Sequence, residues 1–309
     1  MKILIAEDDL VSRRLLEARL VKWGYDVVAT SNGDDAWNVL QSKDAPRICI
    51  LDWMMPGADG VELCRRLRKE AREPYTYIIL LTAQQRDEDL IIGMEAGADD
   101  YITKPFKANE LKVRLRAGRR IIELQNELIE ARETLRDKAT HDPLTRLWNH
   151  EEIIRILETQ LSRAERERGY VAAIMADLDL FKKINDTHGH MAGDAVLRMT
   201  SQRILKQVRA YDSVGRYGGE EFLIVMPGCK REDAAANAER IRSCISMNSM
   251  NISEGVIPVT ISIGAATNIG GKTCNAESLI RAADAALYRA KEKGRNRVEV
   301  AFDDDIGVA

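Results

Sequence analysis

Long hydrophobic runs are missing from this 309-residue sequence. No apolar stretch approaches the roughly 20 residues of a membrane-spanning helix, so no membrane insertion is expected. A charge excess is missing too. The formal net charge of −3 gives no global attraction to nucleic acid or anionic membrane, so any anion must be bound locally. No basic recognition helix or aromatic-basic patch is present, which argues against DNA as a partner. Cysteine is sparse. Cys49, Cys64, Cys229, Cys244 and Cys274 are odd in number, scattered and mostly within apolar segments. They read as reduced core thiols, which excludes a disulfide frame or a cysteine metal site. The opening "MKILIAEDDL" turns acidic too early for a signal peptide. These absences together predict a cytoplasmic protein. What is present is ordinary globular composition, 45% hydrophobic and 31% charged, in a chain long enough for two cores.

The first half alternates strand and helix. "KILIA", "DVVAT", "RICIL", "YIILL" and "DYI" read as strands. Helices are expected over 10–22, 34–41, 60–70 and 86–96, with a long one from about 107. Five βα units predict a flavodoxin-like, doubly wound parallel sheet, in which ligands bind beyond the carboxyl ends of the strands. Glu7 and Asp8, Asp52, Thr82 and Lys104 leave those ends. Carboxylates crowded there repel unless a cation joins them, and oxygen ligands around a partly hydrated site suit Mg2+. Lys104 adds positive charge and Thr82 a hydroxyl. The set is suited to placing a phosphoryl group on a carboxylate. Asp9 and Asp99 read instead as a helix cap and a loop residue.

The pieces "ILIAEDD", "LDWMMPGADG", "LLTA" and "YITKPF", within about residues 1–120, resemble the receiver domain of bacterial response regulators. The resemblance implies phosphorylation of Asp52 by a sensor histidine kinase. It implies Mg2+ held by Glu7, Asp8, Asp52 and the Met54 carbonyl, with Thr82 and Lys104 on the phosphoryl group. It also implies Tyr101 as an aromatic switch and a cis Lys104–Pro105 bond.

No proline interrupts residues 108–138, and Gly118 is the one glycine there. One long helix is expected, a signalling linker over 107–139. Ile121, Leu124, Leu128, Ala131 and Leu135 fall on a coiled-coil seam flanked by charge. Leu111 and Leu115 lie off that seam, so the apolar face changes near Gly118. The upstream part is expected to pack on its own sheet and the downstream part on a second copy. Ile122 and Ile129 widen the stripe, which admits assemblies above the dimer. Gly118 is expected to soften the joint.

In the second half, "YVAAIMADLDLF" reads as a buried strand ending in Asp177 and Asp179. "GRYGGEEFLIVM" reads as two strands joined at Gly218–Gly219, where glycine permits positive φ and close approach of a ligand. Alone, a Gly-Gly turn followed by acids is a common exposed hairpin. Beside a strand-end carboxylate it can share divalent metal, and a metal–triphosphate complex would reconcile Glu220 with Glu221. Backbone N–H groups around the glycines can hold phosphates. Lys291 and Arg295 are expected one helical turn apart on one face, aimed at phosphates.

With "DLDLFKKINDTHGHMAGDAVL", "GGEEF" and "ALYRAKEKGRNRV" assembled, residues 140–302 resemble the GGDEF family of diguanylate cyclases. The start "DPLTRLWNH" also looks like the family's, with Arg146 where glycine is usual and His150 where arginine is usual. The resemblance implies an α+β fold like nucleotidyl cyclases and polymerase palms. It implies condensation of two GTP into cyclic di-GMP and two pyrophosphates. By it, Asp177, Glu220 and the Leu178 carbonyl bind Mg2+, Glu221 is a further ligand, and either glutamate assists deprotonation of the attacking 3′-hydroxyl. Asn185 and Asp194 read the base, Lys182, Lys291 and Arg295 meet the triphosphate, and His190 lies near the nucleotide.

Asp194 also has a reason independent of family. A carboxylate only accepts, and guanine offers N1–H and N2–H2 side by side where adenine offers an acceptor. "RAYD" resembles the family's inhibitory product site, with Arg209 and Asp212 and a contribution from Arg240. The expectation is therefore a phosphorylation-activated, product-inhibited cyclase, working as a homodimer or larger assembly because one half-site cannot close a cyclic dinucleotide. The rival is a catalytically weak receptor for cyclic di-GMP. Residues 303–309 read as a frayed acidic tail.

Overall fold

The computed structural model describes residues 1–70, 73–83, 87–253, 255–268, 273–302 and 305. The start of the helix expected at 86, and the tail apart from Asp305, lie outside them. The chain divides into two compact units, Met1–Glu133 and Thr134–Ala309.

The first unit runs β1 (Lys2–Ala6), α1 (Leu10–Lys22), β2 (Asp26–Thr30), α2 (Gly33–Leu40), β3 (Ile48–Asp52), α3 (Gly60–Glu70), β4 (Tyr77–Thr82), α4 (Asp87–Glu95), β5 (Asp100–Thr103) and the start of α5 (Ala108–Thr140). The strands are parallel in the order β2-β1-β3-β4-β5, the flavodoxin-like winding. Strand alternation sorts the core into two layers. Leu4, Cys49, Leu51, Ile78 and Leu80 pack with residues of α2 and α3. Ile3, Ile5, Ile48, Ile50, Ile79 and Leu81 pack with α1 and with Leu111, Leu115 and Ile122 of α5.

The register of α5 departs from expectation at one residue. Ile122 belongs to the buried stripe of Leu111, Leu115 and Gly118, not to the exposed one. Steps of three and four keep these residues on one helix face, so the buried stripe runs past Gly118. Ile121, Leu124, Leu128 and Leu135 remain exposed. Gly118 is present for room: a Cβ there would lie 2.5 Å from Cδ1 of buried Tyr77. Close packing against the Tyr77 ring accounts for that glycine.

Asp9 caps α1 by accepting from the Ser12 N–H. Asp99 is more than a loop residue. It accepts from Arg68, from the Tyr75 hydroxyl and from the Ile78 N–H.

The second unit follows with α6 (His150–Glu167), β6 (Val171–Leu178), α7 (Phe181–His188), α8 (His190–Leu205), β7 (Ser213–Arg216), β8 (Glu221–Pro227), α9 (Arg231–Ser246), β9 (Met250–Ile252), β10 (Gly255–Ile257), β11 (Ile261–Thr267), α10 (Ala276–Glu292) and β12 (Val298–Val300). Its main sheet has the order β12-β11-β6-β8-β7. Only the β11–β12 pair is parallel among these, so the unit is α+β. Even-numbered residues of β6 face a core shared with α7, α8 and α9, and odd ones face α6 and α10. Gly264 lets α10 sit close on β11: a Cβ there would lie 2.1 Å from the Ala283 carbonyl oxygen.

Candidate functional site

In the first unit, β1, β3, β4 and β5 end together and deliver the expected polar residues. Glu7, Asp52 and Thr82 are buried, while Asp8 is exposed. One ligand oxygen from each of Glu7, Asp8 and Asp52 lies within 4.8 Å of the others. The Lys104 ammonium donates to both Glu7 oxygens at 2.9 and 2.6 Å and to Asp52 Oδ2 at 2.9 Å. Burial pushes the Glu7 carboxyl above its ordinary range, against the pull of Lys104. Burial opposes the charge of Lys104, yet its bonds to Glu7 and Asp52 outweigh that and raise its pKa. A buried acid held out of its ordinary range beside two further carboxylates fits a hard divalent cation. Arg13 fixes the loop by donating to the carbonyls of Glu7 and Asp8. Met54 is exposed, Tyr101 is half-buried against the core, and the Lys104–Pro105 bond is cis.

In the second unit, β6 and β8 bring the acids together. Asp177 pairs in register with Glu221, so both face α10. Glu220 sits one residue before β8, and its carbonyl accepts from the Leu178 N–H at 3.3 Å. Burial raises the pKa of all three acids, and the Asp177 charge adds to the shift of both glutamates. Lys291 reaches Asp177 Oδ2 at 2.8 Å. One lysine against three acids leaves the cluster short of positive charge. The all-oxygen donor set fits Mg2+. The acids are spread more widely than those of the first unit: among the described residues, only Glu7, Asp8 and Asp52 gather three such ligands within 4.8 Å.

Asn185 on α7 and Asp194 on α8 lie on the opposite side of the sheet end. Both are half-buried, whereas Lys182 and His190 are exposed. Gly193 makes room for Asn185, since a Cβ there would lie 1.9 Å from Asn185 Oδ1.

Two expectations need correction. Gly218 and Gly219 are not among the residues with positive φ. Gly218 instead clears space for an acid, a Cβ there falling 2.6 Å from Glu221 Oε2. Arg295 is not one helical turn from Lys291: α10 stops at Glu292, and Arg295 adopts a left-handed φ of 62° beyond it. The Arg209 guanidinium donates to the Tyr211 hydroxyl at 2.7 Å, while Asp212 accepts from the Arg209 backbone N–H at 2.8 Å. Arg240 donates to the Gln207 carbonyl and to Asn237 Oδ1.

Sequence reasoning missed the residues that shape the turn. Arg216 donates to the Gly219 carbonyl and to Asp142 Oδ2, tying the Gly-Gly turn to the start of the unit. His150 Nδ1 lies 2.7 Å from the Tyr217 carbonyl. Both lie inside quoted motifs, but nothing in their spacing reveals these partners.

Comparison with known proteins places these features. Residues 139–297 match the family described as "Diguanylate cyclase, GGDEF domain", and residues 3–116 the "Response regulator receiver domain". Response regulator PleD of Caulobacter vibrioides is 28% identical over 96% of this chain and 98% of its own length. Diguanylate cyclase DosC of Escherichia coli is 41% identical over 58% of this chain and 38% of its own. The coiled coil and GGDEF domain of DgcB from Caulobacter crescentus, solved in complex with c-di-GMP, superposes with a TM-score of 0.56 at 32% identity. That match covers 62% of this chain and 99% of that one.

Proposed function

The chain belongs to the GGDEF diguanylate cyclase family and carries a receiver domain, and from that premise we propose that phosphorylation of Asp52 controls the condensation of two GTP into cyclic di-GMP. The carrying observation is the acid cluster at the ends of β6 and β8. Asp177, Glu220 and Glu221 are all pushed above their ordinary range, with Lys291 on Asp177. Mg2+ held by Asp177, Glu220 and the Leu178 carbonyl, with Glu221 beside it, would supply Lewis-acid polarisation of the reacting phosphate oxygens.

The remaining roles belong to the chain itself. Asn185 and Asp194 accept from the guanine edge and orient the nucleoside. Gly219 offers its backbone N–H to phosphate, Gly218 would do so on releasing the Glu221 carbonyl that its N–H meets at 3.3 Å, and Lys182, Lys291 and Arg295 neutralise the triphosphate. His190 flanks the nucleotide. Glu220 or Glu221 takes the proton of the 3′-hydroxyl, whose oxygen attacks the α-phosphorus of the other GTP. The bond from Pα to the oxygen bridging to Pβ breaks, and pyrophosphate leaves with that oxygen. Repeated in the other direction, the step closes the ring. Two catalytic units must therefore meet, and we assign that task to a homodimer or larger assembly joined through the exposed face of α5.

In the receiver, Glu7, Asp8, Asp52 and the Met54 carbonyl are the residues suited to hold Mg2+. A phosphoryl group accepted from a sensor histidine kinase would draw Lys104 from Asp52 and Glu7, and Thr82 and Tyr101 would answer it. Arg209, Asp212 and Arg240 form the proposed product-inhibition site, where arginine can fork onto guanine O6 and N7. Freeing Arg209 for that role requires it to leave Tyr211. Activity in the cytoplasm completes the proposal.

The test is incubation of the full chain with GTP and Mg2+, with and without beryllofluoride as phosphoryl mimic at Asp52. Two pyrophosphates per cyclic di-GMP, and faster turnover with the mimic, are expected. A folded, mimic-loaded chain that makes no cyclised product would leave only a sensor.

A further inference from the structure

We propose that Asp179 is a positioning residue for the GTP triphosphate that acts through Arg295. The inference rests on the cyclase assignment above and deepens it. Asp179 follows Asp177 at the two-residue spacing that, in a strand, would put two carboxylates on one face as a pair of metal ligands. The structure gives it other work. Asp179 is buried. Its Oδ1 accepts from the Ser262 hydroxyl at 2.6 Å, and its Oδ2 from the Thr260 hydroxyl at 2.7 Å and the Asn296 backbone N–H at 3.0 Å. Its own N–H donates to the Thr260 carbonyl at 2.9 Å. Three neutral donors satisfy the buried carboxylate without a metal.

The Asn296 contact is the informative one. Arg295 and Asn296 have φ of 62° and 45°, two successive side-chain-bearing residues in the left-handed region. That conformation is costly for arginine and milder for asparagine, and two such residues in succession persist where their surroundings hold them. Three clamps hold it here. The Arg295 N–H closes the helix end on the Ala290 carbonyl at 3.0 Å. Asp179 takes the Asn296 N–H, and Arg242 donates to Asn296 Oδ1 at 2.6 Å. The turn so held sets Arg295 three residues beyond the end of α10, the helix whose Lys291 reaches Asp177 at 2.8 Å. Asp179 thus fixes the path of the backbone from which Arg295 reaches the phosphates. Without its carboxylate the turn loses one clamp, and the arginine is no longer aimed.

The experiment compares two ligands in the full chain with Mg2+: α,β-methylene GTP, which cannot release pyrophosphate, and guanosine, which lacks phosphates. Calorimetry on D179N is expected to show about tenfold weaker binding of the triphosphate analogue, the loss of one charge-assisted phosphate contact, with guanosine unchanged. R295A should lose a similar factor, and D179N/R295A no more than R295A alone. The Mg2+ concentration for half-saturation should stay where it is in the unsubstituted chain. Equal weakening of both ligands, additive losses, or a raised Mg2+ requirement would each overturn the proposal, the last by making Asp179 a metal ligand. Asn296→Ala, on the exposed turn, removes the Arg242 clamp and makes left-handed φ costlier. It should show the same selective loss if D179N fails to fold. An unsubstituted chain that binds neither ligand would sink the cyclase assignment, and this inference with it. Binding of both ligands with neither variant affected would sink the inference alone.

Discussion

A single acid can report how the acid cluster of β6 and β8 stores its unfavourable charge. Burial first, then the Asp177 charge, raises the folded pKa of Glu220 above its ordinary value of 4.5. Folding therefore favours the protonated form. The stability this confers is fully present below the unfolded pKa and is lost as pH rises through the raised folded value. Glu220→Gln removes that titration. In EDTA the variant should melt about 2 °C above the unsubstituted protein at pH 7.5, a modest figure because the group is partly solvated. The gap should close as pH falls toward 4.5. Adding Mg2+ at pH 7.5 should reverse the order. Melting curves that coincide at pH 7.5 in EDTA would show that Glu220 carries no such strain. The acids themselves were legible in the sequence because strand ends and a Gly-Gly turn mark them. The parts played by Arg216 and Asp179 were not, because their partners Asp142, Ser262 and Asn296 come from other segments of the chain.

At the scale of the element, α5 shows what periodicity can and cannot tell. Its length was legible from the missing proline, and its two faces from the offset between Leu111–Leu115 and the exposed leucines. The reason for Gly118 was not, since it depends on the Tyr77 ring, which β4 brings under the helix. Two effects of Gly118→Ala oppose one another. Alanine gains about 1 kcal/mol in helix propensity over glycine. Forcing a methyl into a packed core costs about 1–3 kcal/mol. Tyr77 is almost wholly buried, and its hydroxyl lies 3.4 Å from Asp100 Oδ2, so the ring has little freedom to yield. Overpacking should win, and chemical denaturation of the chain should show a net loss of about 1 kcal/mol in the receiver transition. Stabilisation instead would return Gly118 to the role of a flexible joint. Measured against Tyr77→Leu alone, Gly118→Ala/Tyr77→Leu should show no such loss, because the smaller side chain leaves the methyl its space.

For the molecule as a whole, the chemistry sets a requirement that the fold of one copy does not meet. Each catalytic unit carries one set of proposed base readers, Asn185 and Asp194, and one acid cluster, whereas the product joins two nucleotides. Association on α5 would convert an encounter between units into an intramolecular one at an effective concentration of about 1 mM. Against free units near 1 μM, that raises the chance of encounter by up to about a thousandfold. The exposed stripe of Ile121, Leu124, Leu128 and Leu135 is the surface available for it. Leu124→Arg/Leu128→Arg places like charges across any pairing along that stripe without touching the buried one of Leu111, Leu115 and Ile122. Light scattering should report a monomer whose thermal transitions are unchanged. Its cyclase rate at 1 μM protein should fall more than about tenfold, and recover in part as protein concentration rises, because mass action replaces the tether. Nucleotide binding by each unit should persist, since neither leucine lies in the site. A strictly monomeric variant with an undiminished rate would mean that the two half-sites meet by another route, and the coiled-coil assignment of α5 would fall.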